Sequence, residues 1–204
     1  MDVLITGGQL IDGTGNPWTH ADVGIDGDRF SRVAPAGRID PSTARIVVDA
    51  TGHVVCPGFI DIQSHSILPL LSDGRSLSKV TQGVTTEIMG ELWTPAPFGG
   101  KRVAPVLPGF AEISPEDDRR ARSWTRAVAD RLGLRERGQV RPGFLADVVV
   151  FDPRTVTDRA TFAEPHQLSA GIRDVWVNGQ RVLANGAHTG ARPGRPVYGP
   201  GRRN

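Results

Sequence analysis

A carboxylate, an amide and an imidazole stand two residues apart at Asp61, Gln63 and His65. They belong to the run Pro57-Gly58-Phe59-Ile60-Asp61-Ile62-Gln63-Ser64-His65-Ser66. A Pro-Gly turn followed by apolar strand formers predicts a short buried strand over residues 59–63. Alternate residues of a strand share a face, so the three polar groups are expected to project as one row. The row falls at the strand's carboxyl end, where barrel and open α/β enzymes build their active sites. A second predicted strand over residues 84–89 ends at Gly90-Glu91, which brings another carboxylate to a strand end. Ser64 and Ser66 flank His65 in sequence and therefore face away from it, so neither pairs with it as a nucleophile.

The elements that must position this row are mostly strands. Residues 3–5 and 9–11 read as two strands separated by Gly7-Gly8, and 21–25 and 29–33 as a hairpin around Asp26-Gly27-Asp28. Residues 45–49 form a further strand. Residues 171–182 read as a hairpin whose Asn178-Gly179 pair suits a type I′ turn. Helices are fewer. Ser76 is placed to cap a short helix over 76–82, with Leu77 and Val80 facing inward. Ser114-Pro115-Glu116-Asp117 opens a helix running towards Leu132. Residues 93–100 are a loop rich in breakers, and the Gly/Pro/Arg tail beyond 195 is expected to fray. His20, His53, His166 and His188 fall in sheet-type sequence and read as packing or surface residues.

Charge excludes some partners. Lys and Arg number 24 against 22 Asp and Glu, a formal net charge of +2. Nearly all the cations are scattered arginines, so Arg119-Arg120-Ala121-Arg122 and Arg202-Arg203 read as solvated charge, with no nucleic-acid partner expected. The single cysteine, Cys56, excludes an internal disulfide and fits a reducing compartment. It reads as a small buried hydrophobe. The first residues lack the basic and apolar regions of a signal peptide, and no apolar run approaches the ~18 residues of a membrane span. The expectation is a cytoplasmic chain without a membrane partner.

The motifs resemble a known family. Pro57-Gly58-Phe59-Ile60-Asp61, ahead of the place where a His-x-His pair ends a first barrel strand, resembles the amidohydrolase superfamily. Gln82-Gly83-Val84-Thr85-Thr86 is similar to its N-acyl-D-amino-acid deacylase, or D-aminoacylase, branch. Ile11-Asp12-Gly13-Thr14-Gly15 resembles the amino-terminal half of the family's β-sandwich. Ala146-Asp147-Val148-Val149-Val150-Phe151-Asp152 and Ala187-His188-Thr189-Gly190 resemble its carboxyl-terminal half. The chain departs from the pattern at Gln63, where the first histidine of the pair belongs, and near Leu92, where the branch carries a cysteine ligand.

The resemblance implies a mainly β fold with an α/β insertion. A composite β-sandwich would come from residues 1–56 and 133–204, and 57–132 would be a fragment of a (β/α)8 barrel. A whole barrel takes about 250 residues, so most of it is absent, with the junction between 124 and 130. The implied chemistry is metal-assisted hydrolysis of a linear amide in an N-acyl-D-amino acid. Zinc would be the cofactor, lowering the pKa of its water to about 7 and polarising the carbonyl. His65, Gln63 and Glu91 occupy the metal-ligand positions, with Asp61 supporting them and no catalytic acid–base residue assigned. The expected partner is a small N-acyl amino acid, with activity impaired by the missing ring. Two alternatives stand beside it: a non-catalytic sandwich remnant or assembly partner, and a cyclic-amide hydrolase of the same superfamily. Strand edges left open by the missing ring point to self-association.

Overall fold

The computed structural model describes residues 1–64, 66, 70, 72–89 and 132–197. In chain order the first strands are β1 (Val3–Leu10), β2 (Thr19–Asp26), β3 (Arg29–Pro35), β4 (Ile46–Asp49) and β5 (Val54–Pro57). Then come β6 (Phe59–Ser64), the one-turn helix α1 (Leu77–Val80) and β7 (Val84–Met89). The last are β8 (Val148–Phe151), β9 (Ile172–Val177), β10 (Gln180–Ala184) and the short β11 (Ala187–His188). The described protein is mainly β, with little helix. One large mixed sheet runs β11-β10-β9-β8-β5-β1-β2-β3, with β4 alongside β1; β6 and β7 form a separate parallel pair.

The two sequence halves meet inside the large sheet. β5 pairs antiparallel with β8, Val54 opposite Phe151 and Pro57 opposite Val148. Val148, Val149 and Val150 are all fully buried, because β8 is apolar on both faces. Val148 and Val150 join a core with Ile5, Val55, Phe30 and Trp176. Val149 joins a second core on the opposite face, with Val54, Cys56, Val175 and Val80 of α1. An uninterrupted valine run is what a strand covered on both sides requires. Both predicted hairpins form as expected. Asp26 pairs with Arg29 across Gly27-Asp28, and Asn178 and Gly179 take φ of 47° and 77°, the positive pair of a type I′ turn.

Two expectations are corrected. Gly7-Gly8 does not separate a pair of strands: β1 runs through it with a register shift between Ile5 and Gly8. Gly7 adopts φ 68°, and its N–H donates to Asp22 Oδ1 at 3.0 Å, so the extra residue is absorbed as a bulge. The shift lets β1 pair with β4 along its first half and with β5 at Gln9 and Leu10. Gly8 also leaves room for the Val55 side chain, which a Cβ there would strike. The second correction concerns Ser76. It precedes α1 in a left-handed conformation (φ 50°, ψ 44°) and makes no side-chain cap bond. The helix closes after one turn, and Gly83 (φ 78°) then turns the chain into β7. The helix expected from 115 to 132 lies outside the described residues.

Cys56 is buried, and burial pushes its thiol up to about 12. A thiol in that state holds almost no thiolate at neutral pH. Ellman's reagent at pH 8 is therefore expected to leave the native chain unlabelled and to label one thiol per chain in guanidinium. Fast labelling of the native chain would contradict the burial.

Candidate functional site

β5 hands the chain to β6 through Gly58, whose N–H donates to the Asp147 carbonyl at 2.9 Å. Gly58 is needed there because a Cβ would collide with Thr85 of β7. β6 and β7 then run parallel, from Phe59 opposite Val84 to Ser64 opposite Met89. Their register shifts between Asp61 and Ser64, which interrupts the simple alternation assumed for the polar row.

The row's members have separate surroundings. Asp61 accepts a hydrogen bond from Lys79 Nζ at 2.6 Å through Oδ2, and one from the Gln63 N–H at 3.0 Å through Oδ1. The Gln63 side chain is exposed. His65 and Glu91 lie outside the described residues.

Around Asp61 a polar cluster forms that the sequence did not announce. Lys79 Nζ is also 3.5 Å from Glu87 Oε1. Ser64 Oγ donates to the same Glu87 oxygen at 2.8 Å and lies 2.7 Å from Ser66 Oγ. Burial works against the Lys79 charge, but the hydrogen bonds and charges of Asp61 and Glu87 outweigh it and hold the ammonium above its ordinary pKa. A lysine so held is a cation at neutral pH, not a nucleophile or base. Glu87 carries one legible signal, a carboxylate inside an otherwise apolar and hydroxylic strand. Its partner on α1 becomes visible only once β6 and β7 are paired.

A cleft of about 1000 Å³ borders the cluster. Lys79, Glu87, Ile88, Val177, Val182 and residues 191–197 are among its lining. Arg137 reaches it from a buried lock. The guanidinium pairs with Asp147 Oδ2 through Nη1 and donates from Nη2 to Asn178 Oδ1 at 2.7 Å. Asp147 Oδ1 accepts the Asn178 N–H at 2.8 Å, and Asn178 Nδ2 donates to the Pro193 carbonyl at 2.9 Å. Burial, with the Arg195 charge next, pulls Arg137 down to about 10, still charged at neutral pH. From sequence Asn178 reads only as a turn residue, and Arg137 is not singled out.

The zinc implied by the resemblance needs several imidazole, thiolate or carboxylate donors. Among the described residues no group of three or more His, Cys, Asp or Glu side chains could hold a metal ion. Asp61 and Glu87 are engaged by Lys79, and the Gln63 amide is a poor zinc donor. The described donors do not fit the ion. The other histidines are engaged locally. His20 packs edge-on against Trp18, His53 Nδ1 meets the Thr51 carbonyl at 3.0 Å, and His188 Nδ1 accepts from Gly190 at 2.9 Å; His166 is exposed. No helix among the described residues is long and apolar enough to cross a membrane.

Comparison with known proteins bears on this architecture. Residues 119–183 match the amidohydrolase family. The chain is 54% identical over 78 residues to an N-acyl-D-aspartate deacylase of Alcaligenes xylosoxydans xylosoxydans, covering 38% of this chain and 15% of that protein. A D-aminoacylase of the same organism is 43% identical over 89 residues (44% and 18%), and an N-acyl-D-glutamate deacylase 37% over 122 residues (56% and 24%). The chain thus spans less than a quarter of the length of these relatives. Among solved structures, a D-aminoacylase variant in complex with copper chloride superposes with a TM-score of 0.73 at 19% identity, over 96% of this chain and 99% of that one. An N-acyl-D-glutamate deacylase from Bordetella bronchiseptica, complexed with zinc and a phosphonate inhibitor, gives 0.68 at 18%, over 91% and 98%. At these identities the superpositions speak for the fold alone. The local sequence matches carry the kinship: residues 119–183 match the amidohydrolase family, and D-aminoacylase and the N-acyl-D-amino-acid deacylases are the relatives this chain resembles.

Proposed function

We propose that this chain keeps the scaffold of an N-acyl-D-amino-acid deacylase while its hydrolytic reaction is impaired. In this reading residues 1–56 and 133–204 make up the composite β-sandwich, and 57–132 are what is kept of the barrel. The reaction class is metal-assisted hydrolysis of a linear amide, and the substrate class is an N-acyl-D-amino acid. The observation that carries the reading is the β5–β8 pairing, which places residues 54–57 directly beside 148–151. A bound Zn²⁺ would supply a nucleophilic water near neutral pH and a polarised carbonyl, and the described donors do not assemble for it. The commitment of Asp61 and Glu87 to Lys79 favours the second reading, a non-catalytic scaffold.

The test is an assay with N-acetyl-D-aspartate, N-acetyl-D-glutamate and N-acetyl-D-leucine in the presence of zinc. The expected result is no D-amino acid above the no-enzyme control. Release that disappears in His65→Ala would overturn impairment and leave an active deacylase.

A further inference from the structure

Three charged side chains from three elements converge beside the cleft: Asp61 from β6, Lys79 from α1 and Glu87 from β7. Lys79 Nζ lies 2.6 Å from Asp61 Oδ2 and 3.5 Å from Glu87 Oε1. Side-chain exposures of 19% for Lys79, 25% for Asp61 and 12% for Glu87 put the triad largely out of water. Ser64 Oγ donates to Glu87 Oε1, and its own oxygen lies within bonding distance of Ser66 Oγ. Two carboxylates held this close in a partly dehydrated site repel each other unless a cation stands between them.

We infer that Lys79 is the resident cation of the β6–α1–β7 unit, its ammonium filling the position between Asp61 and Glu87 that a divalent ion would otherwise take. The unit is tied together by a side chain, and these carboxylates contribute no metal ligand while Lys79 is present. Removing the ammonium leaves two carboxylates and the Ser64 hydroxyl facing one another, an oxygen set suited to a hard divalent cation. The inference does not depend on the deacylase reading, because melting temperature reads it and activity does not.

The experiment compares melting of the full chain with and without about 5 mM calcium chloride, a concentration above the weaker protein calcium sites. Wild type and Lys79→Arg are expected to shift by less than about 1 °C. Lys79→Met is expected to melt lower and to regain on the order of 3 °C with calcium. The Lys79→Met/Glu87→Gln double variant is expected to recover most of the lost stability without calcium and to show no calcium response. Should Lys79→Met fail to fold, the double variant decides: recovery of folding supports the inference and continued failure overturns it. A calcium response in wild type equal to that of Lys79→Met also overturns it, as does a folded Lys79→Met with none.

Discussion

Replacing Asp147 by alanine is expected to cost about 3–5 kcal/mol of folding stability, the range for breaking a buried ion pair by deleting one partner. Asp147 sits just before β8, and its side chain is 4% exposed, that of Arg137 5%. One carboxylate oxygen meets the guanidinium and the other accepts the Asn178 N–H. Alanine would leave the buried cation without its counter-ion and the Asn178 N–H without its acceptor. The Arg137 Nε already has no hydrogen-bond partner, so losing Asp147 adds to an existing deficit of partners around the guanidinium. Asn178 in turn holds the Pro193 carbonyl, so the segment after β11 should loosen together with the β9–β10 turn. Urea unfolding followed by circular dichroism measures the loss, and a change under about 1 kcal/mol would show that the lock is dispensable. An Arg137→Met/Asp147→Asn double variant, which removes the charge and keeps an acceptor for Asn178, is expected to recover more than half of it.

The second large effect is expected at Trp176. Its side chain is fully buried in the core formed with Ile5, Val55, Val148 and Val150, and Arg181 lies over its ring at 5.2 Å. Trp176→Ala removes the largest side chain of that core and opens a cavity between the β1 and β9 sides, for an expected loss of about 3–5 kcal/mol. Its indole N–H has no hydrogen-bond partner, so Trp176→Phe deletes an unsatisfied donor along with some of the ring volume. That variant is expected to lose less than half as much as alanine. Equal losses would contradict the cavity as the cause of the alanine effect.

What was legible in the chain was local. Asn178-Gly179 and Asp26-Gly27-Asp28 announce their hairpins because few residues accept positive φ, and both turns form where expected. Residues 148–150, matched from sequence only as a family-like motif, form a strand covered on both faces, since three successive valines leave no polar side. The Gly7-Gly8 pair misleads, since a glycine pair signals a break and a bulge equally. Only the Asp22 carboxylate, fifteen residues on, decides for the bulge.

The strand-rich class, the turns and the likeness to amidohydrolases are each written in neighbouring residues, through backbone preference or motif. Tertiary structure alone decided that β5 lies against β8, that Lys79 spans 18 residues to Asp61, and that Arg137 reaches 41 residues to Asn178. Ion pairs and hydrogen bonds of that kind depend on strand register and on which faces close over one another. No window of sequence carries that information, because the energy appears only when distant segments are desolvated together.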